Sequence, residues 1–127
     1  MDTIAQFKKI IILDLILTIV MIITGFFSPE EYTNFMLDTL VIINETTMLL
    51  IAAILTFLYF ISLYLCYKFN SLGKNIYILT FVSTLFFVLF MDYASTGLEI
   101  SLTSLGGAVS GVIIYMMIYT EIKDKFT

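Results

Sequence analysis

The chain has no histidine, no arginine and no tryptophan, and its 127 residues include one cysteine, Cys66, and one proline, Pro29. Without histidine and with a single thiol, neither a zinc site of the usual His/Cys kind nor an internal disulfide is possible, and a histidine-ligated haem is excluded as well. Charge is scarce too, at 13% of residues against about 25% in an ordinary soluble domain. The net charge is −4, and the basic residues form no stripe of the kind that binds nucleic acid.

What remains is apolar. Hydrophobic residues make up 61% of the chain and the mean hydropathy is +1.07, more than a soluble fold of this length can bury. The six lysines are distributed unevenly among the apolar runs. Lys8 and Lys9 precede the first, Lys68 and Lys74 separate the second from the third, and Lys123 and Lys125 follow the last. The other two connections carry acids only: Glu30, Glu31, Asp38 and Glu45 in one, Asp92 and Glu99 in the other. Lysine bias in short loops sets orientation while acids contribute little, so both termini are expected in the cytoplasm, with four spans between them.

The expected fold is an all-α integral membrane protein, a single domain of four transmembrane helices in two antiparallel hairpins. The spans fall at about 10–27, 46–67, 75–91 and 100–119. The first, 18 residues from Ile10 to Phe27, would measure about 27 Å as a helix, enough to cross the hydrocarbon core, and exceeds the apolar core of a signal peptide. Ser28-Pro29-Glu30-Glu31 then reads as a helix start, with serine as N-cap, proline at the first position and glutamate completing a capping box. The following stretch to Ile43 is too short to cross, which predicts a short interfacial helix at about 29–43 between helices 1 and 2. Phe69-Asn70-Ser71-Leu72-Gly73 makes a tight inner turn, so spans two and three are expected as an antiparallel neighbouring pair. Tyrosines take the interfacial belts in place of tryptophan: Tyr64, Tyr67, Tyr77 and Tyr119 inside, Tyr32 and Tyr93 outside.

Three features are candidates for function. Asp14 is the one ionisable residue well inside a span, and Thr18, Met21 and Gly25 continue its stripe at helical spacing. The thirteen Ile, Leu, Val and Phe residues of that span, at roughly 0.3 to 0.6 kcal/mol each, outweigh an aspartate cost of about 2.5 to 3.5 kcal/mol. Insertion therefore needs no partner for Asp14. Its expected role is that of a packing aspartate that bonds to a neighbouring helix or snorkels inward, with proton or cation carriage as the alternative; Tyr59, Ser62, Thr80 and Tyr115 lie at similar depth as candidate donors.

The second feature is a small-residue seam in the last span, where Thr103, Gly107 and Gly111 recur every four residues with Gly106 and Ser110 beside them. Such a seam lets a second helix backbone approach closely. Gly107-Ala108-Val109-Ser110-Gly111 superficially resembles the Gly-x-Ser-Gly stretch of rhomboid proteases, but no histidine is present to serve Ser110 as base, so that chemistry is rejected.

The third is an outer acidic rim of Asp38, Glu45, Asp92 and Glu99, whose spacing matches no calcium loop. Cys66 reads as a small buried hydrophobe. No cofactor and no enzymatic constellation are expected.

The function expected is a noncatalytic helical subunit or assembly factor of a larger membrane complex in the prokaryotic cytoplasmic membrane. Its partners would be the bilayer and other transmembrane subunits or copies of itself. The alternative is a homo-oligomeric transporter or channel for protons or cations, similar in size to the small multidrug exporters and fluoride channels. Against it, the chain has no glutamate in the middle of its first span and no polar track through its third.

Overall fold

A computed structural model describes residues 3–27, 45–89 and 97–127. Within them the chain is all-helical: α1 (Thr3–Gly25), α2 (Glu45–Tyr67), α3 (Ser71–Leu89), α4 (Gly97–Tyr119) and a short 3₁₀ helix, Glu121–Lys125. Two helices are long and apolar enough to cross a membrane, over Leu49–Tyr67 with mean hydropathy 2.4 and Gly97–Tyr119 with mean hydropathy 1.6. The expected interfacial helix at 29–43 lies outside the described residues, as do Asp38 and Asp92.

Helix α1 begins well before its apolar run, so Lys8 and Lys9 are helical residues rather than a flank. The reason is Phe7, which is fully buried and draws the first two turns into the fold. Phe7, Ile11, Asp14 and Leu17 form the buried stripe of α1 at the three- and four-residue spacing that keeps side chains on one helix face.

Helices α2 and α3 pack as the antiparallel pair that the short turn requires. Their connection is tighter than expected. Phe69 takes a left-handed φ of 58°, with Phe69 N–H donating to Cys66 O (2.9 Å) and Asn70 N–H to Leu65 O (2.9 Å), the two bonds of a Schellman ending. Glycine usually occupies that position. Here Phe69 instead spends its side chain on ring contacts with Phe7 (centroids 5.6 Å apart) and Phe126 (5.7 Å), which offset a backbone cost of about 1 to 2 kcal/mol. Asn70 then caps α3, its Oδ1 accepting from Leu72 N–H at 2.9 Å, so the helix starts at Ser71.

The second pair is α1 with α4, the first and last helices, which no loop joins directly. Ser110 lies beside Asp14, Gly106 beside Met21 and Phe126 beside Phe7, so the two helices run antiparallel. After α4, Thr120 accepts from Ile122 N–H (3.2 Å) and the 3₁₀ segment folds back with Ile122 fully buried. The tail is tied to the α2–α3 turn by Thr127 N–H to Phe69 O and Ser71 N–H to Thr127 O, both 3.0 Å.

Burial is polarised along the bundle. Among the side chains whose burial is described, the buried ones of α1 end at Leu17, those of α2 begin at Ser62, those of α3 end at Thr80, and those of α4 begin with Val109, one turn after buried Gly106. All lie toward the end that carries the lysines.

Of the described glycines, Gly73 is the one the fold cannot replace. A Cβ there would sit 2.4 Å from Leu65 Cβ and 2.8 Å from the backbone of Leu65 and Cys66, whereas Gly107 and Gly111 have nothing within 4 Å. Gly73→Ala should therefore force α2 and α3 apart at a cost of about 1 to 3 kcal/mol. Gly107→Ala and Gly111→Ala should be neutral or gain up to about 1 kcal/mol of helix propensity. Thermal unfolding of the three variants in detergent measures the difference, and equal midpoints would contradict the close α2–α3 crossing.

Candidate functional site: a carboxylate shared by four helices

Asp14 is 1% exposed, in the middle of α1. Its Oδ2 accepts two short hydrogen bonds, from the Tyr59 hydroxyl on α2 and the Tyr77 hydroxyl on α3, each 2.6 Å. The Ser110 hydroxyl on α4 reaches Oδ1 at 3.4 Å. One carboxyl group thus bonds to a hydroxyl from each of the other three helices. The rings of Tyr59 and Tyr77 lie with centroids 5.7 Å apart, stacked obliquely as they converge on the same oxygen.

The supports for this arrangement are local. Thr18 donates to the Asp14 carbonyl at 2.9 Å, and its hydroxyl lies 3.3 Å from the Tyr59 oxygen, so the turn that follows Asp14 is linked to the same cluster. Ser62 donates to Tyr59 O (2.7 Å), while buried Thr80 lies 2.9 Å from Ile76 O and 3.0 Å from Tyr77 O, within reach of both. These hydroxyls satisfy themselves within their own helices, as serine and threonine do in apolar surroundings. Gly106 sits under Met21, which completes the α1–α4 contact one turn beyond Ser110.

Of the donors expected from depth alone, Tyr59 reaches Asp14. Ser62 and Thr80 are buried next to the cluster and bond to their own helices, and Tyr115 is 59% exposed, its ring 5.5 Å from that of Tyr119. Tyr77 is the residue that sequence reasoning missed. Assigned to an interfacial belt, it is fully buried and is one of the two strongest partners of Asp14. A signal was available: Gly73, Tyr77, Thr80 and Thr84 follow one another at helical spacing, a small and hydroxyl-bearing stripe along the third helix that the expectation of no polar track there overlooked.

The seam of α4 divides. Gly106 and Ser110 face α1, while Thr103, Gly107 and Gly111 face outward with open space beside the two glycines. Of the acidic rim, Glu45 and Glu99 fall in the first turns of α2 and α4. Cys66 is buried, its Sγ 3.8 Å from Met117 Sδ. Among the described residues no three His, Cys, Asp or Glu side chains gather to hold a metal ion.

Chemically, the cluster is a hydrogen-bonded tie with its donors supplied by the chain itself. Tyr59→Phe and Tyr77→Phe should each destabilise the fold by about 1 to 2 kcal/mol. This lies between the value for hydrogen bonds to charged groups in water and the lower average found between membrane helices. Because both hydroxyls share Oδ2, the double variant should depart from additivity, which a double-mutant cycle of unfolding free energies in detergent reads directly. Additive losses would mean that the two tyrosines act separately.

No family model matches the chain, and no curated protein or solved structure matches it either.

Proposed function

We propose that the chain is a small polytopic membrane protein of four spans that serves as a noncatalytic helical subunit or assembly factor of a larger membrane complex. Both ends lie in the cytoplasm, with residues 28–45 and 92–99 on the other side. The observation that carries the reading is the closure of the Asp14 cluster, a carboxylate 1% exposed whose bonds all run to hydroxyls of the same four-helix unit. A group so engaged serves to hold helices together. The exposed surface supports the membrane setting: Ile16, Ile23, Leu49, Phe57, Leu79 and Phe86 are among many large apolar side chains turned outward, as lipid or protein neighbours require. The lysine distribution supports the orientation.

The competing reading is a proton or cation carrier working as a homo-oligomer. It draws on one feature, an ionisable group at depth inside a hydroxyl network, which is how intramembrane relays are built.

Asp14→Asn separates the two. An asparagine can place its Oδ1 where both tyrosines donate and turn its amide toward Ser110, which can accept, so the tie survives without an ionisable group. The variant should insert, fold and assemble as wild type does, and vesicles holding the wild-type chain alone should pass neither protons nor sodium nor potassium. Flux that disappears in Asp14→Asn would sink the scaffold reading and establish the carrier.

The topology has its own test. With a cysteine introduced at Ser95 or at Ser71, an impermeant thiol reagent added outside intact cells should label only the first. The reverse pattern would overturn the orientation.

A further inference from the structure

The lysine end of the bundle is assembled from three separate parts of the chain: the first turns of α1, the α2–α3 turn with the start of α3, and the 3₁₀ tail. They are held together by three phenylalanine rings. Phe7 stacks on Phe69 (centroids 5.6 Å), and Phe126 meets both edge-on at 6.0 and 5.7 Å. Two lysines rest on this trio. Lys8 Nζ lies 5.4 Å from the Phe69 ring centroid and 4.8 Å from that of Tyr67, and Lys74 Nζ lies 5.6 Å from that of Phe126. Among the described residues, the partners of these two ammonium groups are ring faces, which orient a cation without neutralising it. Exposed Lys9, Lys68, Lys123 and Lys125 belong to the same three segments, and the acids of the chain near this end in sequence are Asp2, Glu121 and Asp124.

We infer that this end is a binding surface for the headgroups of anionic phospholipids, with Lys8 and Lys74 as its fixed contacts. The inference rests on the membrane reading above. The aromatic trio brings the three segments into one patch and positions two ammonium groups in advance, so little side-chain freedom is lost when a phosphate diester binds. Apolar Leu72 and amphipathic Tyr64, both largely exposed at the same end, set the level of the patch at the boundary between hydrocarbon and headgroups. Both lysines are half-buried, with stems along the fold and charge at its edge. A lipid phosphate is the anion available at that depth.

The test uses the full chain, reconstituted in nanodiscs containing phosphatidylcholine and phosphatidylglycerol and then released for native mass spectrometry. Wild type should retain phosphatidylglycerol over phosphatidylcholine and lose that preference in high salt. Lys8→Gln with Lys74→Gln should weaken retention by about fivefold per lysine, as the attraction of one basic residue near an anionic surface implies. Lys9→Gln with Lys125→Gln removes the same charge away from the rings and should cost less. Equal retention of the two lipids by wild type would overturn the inference. Equal losses in the two double variants, or displacement of the lipid by inorganic phosphate, would overturn it as well. Should the first double variant fail to keep wild-type helicity, the wild-type ratio and its salt dependence decide alone. Resistance to alkaline carbonate extraction reports on membrane integration separately, so a chain that resists extraction but shows no lipid preference refutes this inference and leaves the membrane reading standing.

Discussion

The structure depends on satisfying one buried carboxylate. A carboxyl group placed among apolar side chains must find hydrogen-bond donors within the fold, because leaving it without partners costs more than most single contacts return. Asp14 finds them on every other helix: Tyr59, Tyr77 and Ser110. Each of those bonds restricts how its helix can rotate about its own axis and slide along its neighbours. Apolar packing alone would permit several rotations, since these helices are hydrophobic nearly all round. The polar tie thus supplies the specificity that an apolar surface lacks.

The packing below Asp14 follows from that constraint. Once the four helices are turned toward the carboxylate, Ile11, Leu63, Cys66, Ile113 and Met117 fall into one contiguous cluster, and Phe7, Phe69 and Phe126 close its end. The tail after α4 is part of this closure, with Ile122 buried and Thr127 bonded to the α2–α3 turn through two backbone hydrogen bonds. Above Asp14 the Thr18 hydroxyl, 3.3 Å from the Tyr59 oxygen, extends the cluster by one turn, and beyond it burial of the described side chains declines.

Small residues do two distinct jobs on α3 and α4. Gly73 permits backbone contact between α2 and α3, where even a methyl group would collide with Leu65. On α4, Gly106 and Ser110 lie along one stripe, and Thr103, Gly107 and Gly111 along another turned about 100° from it. A helix with its main neighbour on one side buries one such stripe and leaves the other open. The inward stripe holds the carboxylate's third donor; the outward one is exposed, with nothing within 4 Å of a Cβ at Gly107 or Gly111.

Much was legible from residues alone. The helical class, the lengths of the apolar runs, the pairing of α2 with α3 and the singularity of Asp14 all follow from composition, spacing and loop length, which are local quantities. The structure assigned what is nonlocal. Tyr77 and Tyr115 are both tyrosines on apolar helices, yet one is a buried donor to Asp14 and the other an exposed ring, because helix rotation decides which face meets the carboxylate. The same holds for the α1–α4 pairing and for the division of the glycine stripes. Periodicity in a chain identifies the faces of a helix, but in helices hydrophobic nearly all round every face reads alike, and only the position of the neighbours decides which one is buried.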